Sequence, residues 1–195
     1  FWLQKSKGGF AQYFLETMSE NEKEQTLSSD YFDGEAMLAL LIMYKSNPSP
    51  ELKQKIYQTL YYFEDIYSKS YAKGLYLWAM TSMRLGYEIF KDERFARFAD
   101  THQALKDAKY SLVKRKMFHN VCTNFEGLGN FLAMHKMLGA QKPVHEDFFN
   151  YGLAQMAKLQ LRKNSRLTTS LNGLREMRAP KKKGIGGFVT DFKNP

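Results

Sequence analysis

Apolar side chains cover nearly the whole circumference of the stretch Tyr31-Phe32-Asp33-Gly34-Glu35-Ala36-Met37-Leu38-Ala39-Leu40-Leu41-Ile42-Met43-Tyr44, and its polar residues crowd the first turn. A helix with so little polar surface belongs inside an assembly, with only its N-terminal mouth near solvent. We expect it from about Asp33 to Lys45. After a turn at Asn47-Pro48-Ser49-Pro50, the residues Leu52, Ile56, Leu60, Phe63 and Tyr67 recur at helical spacing on one side only. An amphipathic outer helix is therefore expected to return along the apolar inner one. Ser49 suits its N-cap, Pro50 its first helical position, and Glu51 its dipole.

The plan repeats twice. A second inner helix is expected from about Tyr71 to Phe90, with Asp92-Glu93 at the turn and an outer helix carrying Phe95, Phe98, Ala99, His102 and Leu105. A link over Lys106 to Asn124 leads to a third inner helix, about Phe125 to Leu138. Gly139 and Pro143 bracket the next turn, and the last outer helix carries Phe148, Phe149, Leu153 and Met156. Gly34, Gly74 and Gly127 open the three inner helices, 40 and 53 residues apart by their numbers, the period of stacked helical hairpins. The three should pack side by side with those glycines at one end. Phe1-Trp2-Leu3-Gln4 reads as the end of a helix stopped at Gly8-Gly9, and residues 17–29 read as a loop. The fold class expected is all-α.

Composition adds charge. The net +9 is uneven: residues 161–195 hold nine Lys/Arg against two acids, and the preceding 160 hold 20 against 18. Electrostatic steering would come from that C-terminal segment. Nucleic acid is argued against by the absence of interleaved aromatics and of any DNA-reading motif. No stretch approaches the roughly 20 apolar residues of a membrane span. One cysteine, Cys122, excludes an internal disulfide and is expected to be a small buried side chain.

In a chain of inner and outer hairpins, the longer links cross the face where every inner helix begins: residues 5–32, 68–72, 106–124 and 161–188. That face would gather Tyr31, Asp33 and Glu35, then Tyr71, Tyr76 and Trp78, then His119, Cys122, Asn124 and Glu126. Carboxylates and aromatic rings around one concavity suit sugar binding, and a carboxylate pair can do general acid–base work. Asp33, Glu35 and Glu126 are the catalytic candidates. Tyr31, Tyr76, Trp78 and Asn124 are candidate substrate contacts, and Lys181, Lys182 and Lys183 a candidate anion clamp. First-turn acids also stabilise a helix dipole without any chemistry, and aromatics are normal in helical cores. No spacing matches a metal site, and Gly184-Ile185-Gly186-Gly187 lacks the strand and helix that a phosphate loop needs. No cofactor is expected.

The end of the chain echoes its start: Leu3-Gln4 then Gly8-Gly9-Phe10, and Leu159-Gln160 then, after a basic insertion over 162–187, Gly186-Gly187-Phe188. With Tyr31-Phe32-Asp33-Gly34-Glu35-Ala36-Met37-Leu38-Ala39-Leu40, this resembles the hairpin openings of α/α-toroid proteins of bacterial carbohydrate metabolism, the six-hairpin glycosidases and the epimerase-like proteins. The resemblance implies a ring of alternating inner and outer helices, of which residues 1–195 would be one domain forming an arc. It implies a carbohydrate-active domain that binds or modifies a polysaccharide, uronic-acid-containing ones included, by carboxylate acid–base chemistry. Self-association, or additional chain, would complete the ring. The competing expectation is a helical-repeat scaffold that binds a protein partner and catalyses nothing. A terpenoid-cyclase-like ring is argued against by the lack of an Asp-Asp-x-x-Asp cluster.

Overall fold

A computed structural model describes residues 3–13, 16–110, 121–159, 166–169 and 175–178. Seven helices appear among them: α1 Glu20–Gln25, α2 Asp30–Ser46, α3 Pro50–Tyr67, α4 Tyr76–Phe90, α5 Glu93–Lys109, α6 Val121–Met137 and α7 Pro143–Leu159. None is long and apolar enough to cross a membrane, among the described residues. The chain divides into two compact units, Phe1–Ser111 with Gly127–Lys142, and Leu112–Glu126 with Pro143–Pro195.

In the first unit α2, α4 and the later part of α6 run parallel. At the start of α2, Gly34 lies against Leu75 and Trp78, so close that a Cβ there would stand 2.6 Å from that of Trp78. At the other end, Lys45 of α2 reaches Glu88 of α4 at 3.1 Å. Along α6, Gly127 meets Tyr76 and Leu77, while three residues later the Asn130 amide donates to the Thr81 hydroxyl (3.0 Å) and accepts from Arg84 Nε (2.7 Å). Gly34 and Gly127 therefore lie against the same end of α4, as the glycine recurrence predicts. Small residues let the backbones approach there, and the aromatic side chains of the neighbour fill the gap.

The outer helices follow the expected stripes. Leu52, Ile56, Leu60, Phe63 and Tyr67 of α3 are buried, as are Phe95, Phe98, Ala99 and His102 of α5. Phe63 meets Phe98 at 5.6 Å between ring centroids. Ser49 caps α3 by accepting from Leu52 N at 3.1 Å, and Asp92 caps α5 by accepting from Arg94 N at 3.0 Å.

Several expectations are corrected. Residues 17–29 include α1, made possible by a capping box in which Ser19 and Glu22 exchange side-chain bonds to each other's backbone N–H. Leu3 and Gln4 end no helix: Gln4 and Phe10 pair across a tight turn, with Gly8 at φ +101°. The Gln4 amide then donates to Lys55 O (3.0 Å) and Thr59 Oγ1 (2.8 Å), strapping the turn onto α3. Residues 73–75 are a turn, so Gly74 precedes α4 where a helical position was expected, and α6 starts four residues early. The apolar circumference of α2 is not wholly buried, since Ile42 and Met43 are 52% and 49% exposed.

In the second unit α7 packs on the first turns of α6 through Phe125, whose ring lies 5.4 Å from that of Phe148 and fills the space over Gly152. Leu153, expected on the packed stripe, is exposed, and so is Cys122. Within the basic insertion the strands β1 Arg166–Thr169 and β2 Arg175–Arg178 pair antiparallel, where only a loop was expected. Gln160, Gly186, Gly187 and Phe188, which carry the echo of the N-terminus, lie outside the described residues.

Candidate functional site

At the end where α2 and α4 begin, an open depression of about 600 Å³ is lined by Gln12, Ser28, Ser29 and Asp30, by Tyr62, Ile66 and Tyr67 from the last turns of α3, and by Ser70 and Ala72. Two of the links expected to cross this face, 5–32 and 68–72, supply six of those nine residues. The topology brings them here because α3 ends where α2 starts. A smaller hollow of about 270 Å³ beside α1 holds one carboxylate, Glu22, already spent in its capping box.

Beneath the depression Asp33 is fully buried. Its Oδ1 accepts from Phe10 N at 2.8 Å and its Oδ2 from the Tyr67 hydroxyl at 2.7 Å. Burial pushes the Asp33 carboxyl above the usual carboxylate range, against the opposing pull of Tyr67, the Phe10 N–H and Lys5. Burial, then the neighbouring carboxylate, drives the Tyr67 hydroxyl far up, so it stays protonated. Tyr62 stands perpendicular to Tyr67, 5.9 Å away, and burial raises its hydroxyl too. Asp30 ties the rim together: its Oδ1 accepts from Tyr31 N and its Oδ2 from Gly74 N, both at 2.9 Å. Ser29 occupies the N-cap position without making the cap bond. The link is held from behind by His102, whose ring nitrogens lie 3.3 Å from Tyr67 O and 3.3 Å from Ala72 O. Burial pushes the His102 imidazole below its ordinary value.

The expected site residues fare differently. Tyr31 and Trp78 come together edge to face, 5.9 Å apart at 86°, with Tyr31 half exposed. Glu35, one turn along from Tyr31, is half-buried. Tyr76 is in the core, 2% exposed, donating to Gln103 Oε1 at 2.7 Å beneath the Lys106 ammonium. That removes it from any surface platform. Full burial also removes Asp33 from direct contact with a ligand, so it supports the wall instead. Asn124 and Glu126 belong to the second unit, half-buried and exposed respectively. His119, Lys181, Lys182 and Lys183 lie outside the described residues. Among the described residues no cluster of three or more His, Cys, Asp or Glu could hold a metal.

The sequence reading overlooked Asp30, Tyr62, Tyr67 and the serines. Tyr67 is buried on the expected packed stripe and, because α3 stops at that residue, it also borders the depression, with its hydroxyl turned to the buried Asp33. The order of links along the chain was the available signal. No protein-family model, no curated protein and no solved structure matches this chain.

Proposed function

We propose that this protein is a carbohydrate-binding domain, an arc of α/α-toroid type, which holds a polysaccharide across the face where its inner helices begin. The observation that carries the reading is the depression walled by hydroxyls, an amide and one carboxylate, with the half-exposed Tyr31 next along the chain and Trp78 edge-on to it. Sugars present hydroxyls to such polar walls and C–H faces to aromatic rings. Binding is favoured over turnover, because the burial of Asp33 leaves Glu35 without a second expected carboxylate on the exposed surface of the first unit. Acid–base cleavage of a glycosidic bond uses two carboxyl groups within about 5–10 Å.

The test is calorimetric titration of neutral oligosaccharides into wild type, Tyr31→Ala and Glu35→Gln. Loss of affinity in Tyr31→Ala with little change in Glu35→Gln supports binding. Product formation that disappears in Glu35→Gln would make the protein an enzyme. The second reading, a scaffold for a protein partner, is favoured by the exposed Ile42 and Met43 on α2. An apolar helix face of that kind suits a partner helix.

A further inference from the structure

We infer that Arg84 is an anion-recognition residue that gives the protein a preference for carboxylate-bearing sugars. The inference rests on the saccharide-binding reading, whose ring pair Tyr31 and Trp78 stands at the start of the same helix, and it names the ligand class.

Arg84 belongs to a polar chain that crosses the three inner helices of the first unit. Its Nε donates to Asn130 Oδ1 of α6 at 2.7 Å. The Asn130 amide donates in turn to Thr81 Oγ1 at 3.0 Å, and that hydroxyl donates to Leu77 O at 2.9 Å. On the other flank, Lys45 of α2 holds the Glu88 carboxylate at 3.1 Å and keeps it below the usual carboxylate range. The second Glu88 oxygen stays 4.0 Å from Arg84 Nη1, too far for a hydrogen bond. Two cations therefore share one carboxylate. The tie between α4 and α6 uses only the Arg84 Nε, and among the described residues Nη1 and Nη2 have no hydrogen-bond acceptor. A guanidinium with that end open takes a carboxylate through two parallel N–H···O bonds. Arg84 also lies on the right side of the layer. Gly86 meets Phe95 of α5, and Arg84 stands about 160° round the helix from Gly86, facing away from the outer layer. Its side chain is 35% exposed. Trp78 is about 9 Å back along the axis of α4, a distance that a short oligosaccharide resting on Tyr31 and Trp78 can span.

The experiment titrates the full chain by calorimetry with a galacturonate tetramer and with its fully methyl-esterified form, which shares the backbone and lacks the charge. Wild type should bind the acid about tenfold more tightly than the ester, the worth of a charge-assisted pair at a half-exposed site. Arg84→Gln should remove most of that ratio and move ester affinity far less. Arg84→Lys keeps the charge without the fork and should retain only part of the ratio. Glu88→Gln should raise acid affinity about twofold, because the carboxylate beside Nη1 no longer competes. Such a gain is something general destabilisation does not produce. If Arg84→Gln fails to fold, the wild-type ratio, Arg84→Lys and Glu88→Gln still decide. Equal affinity of wild type for acid and ester overturns the inference and leaves saccharide binding standing. So does an acid preference that survives in Arg84→Gln but disappears when Lys181, Lys182 and Lys183 are replaced together by alanine, which assigns it to the basic C-terminal segment. No binding of either tetramer removes the saccharide reading itself, and this inference with it.

Discussion

Asp33 shows how much one residue can differ from its sequence-level expectation. An acid in the first turn of a helix reads as a dipole partner or a catalytic group. It is instead a buried acceptor joining the N-terminal turn, through Phe10 N, to the end of α3, through Tyr67. Nothing in the local pattern around Asp33 encodes that, because both partners are more than twenty residues away. Replacing it with alanine should cost about 2 kcal/mol, since two buried donors lose their acceptor; chemical denaturation checks this. The pH signature has a definite sign. The folded carboxyl titrates above its unfolded value, so its favourable contribution is complete below the ordinary carboxylate pKa and is lost as pH rises through the folded pKa. The stability of wild type relative to Asp33→Asn should therefore fall as pH rises above the range, about pH 4, where ordinary carboxylates ionise. Asp92 behaves in the opposite sense. Its bonds from Arg94, one of 2.7 Å, hold it at about 2, so its contribution is present above the usual carboxylate pKa and fades toward pH 2. Lys106, pushed down to about 7 by burial, binds fewer protons folded than unfolded, and stability should rise from pH 7 toward 10.5. In Lys106→Met that rise should be flattened, as thermal melts across the range would show.

At the scale of elements, most of the fold was legible. The stripes on α3 and α5 follow from spacing alone, and Ser49 and Pro50 mark the start of α3 as capping chemistry requires. Ser49→Ala should cost about 1 kcal/mol. The parallel inner helices were legible through their glycines, since close packing leaves no room for a Cβ. Gly34→Ala gains up to about 1 kcal/mol of helix propensity but meets the Trp78 Cβ at 2.6 Å. The Trp78 Cβ is fixed to its backbone and cannot swing aside. Overpacking of this kind costs about 1–3 kcal/mol, so we expect net destabilisation by thermal melt. What escaped were structures held by distant partners. The N-terminal strap depends on Gln4 reaching α3, and the site wall depends on α3 ending beside α2. Tyr67 was legible as core and illegible as a residue bordering the depression, because where α3 ends beside α2 is set by tertiary packing.

For the molecule as a whole, the proposed function is saccharide binding at the face formed by the start of α2 and the end of α3. The exposed Ile42 and Met43 lie more than two turns along α2 from Asp30. Replacing both by serine should leave saccharide affinity unchanged if the depression is the site, whereas a scaffold function on α2 would show no saccharide affinity before or after the change. The most direct measurement is backbone amide NMR of the full chain titrated with a neutral glucose tetramer. The account predicts saturable shifts at Gln12, Ser28, Ser29, Asp30 and Tyr31 and over residues 66–72, with residues 42–46 silent. Shifts centred on Ile42 and Met43, or none anywhere at saturating sugar, would contradict it.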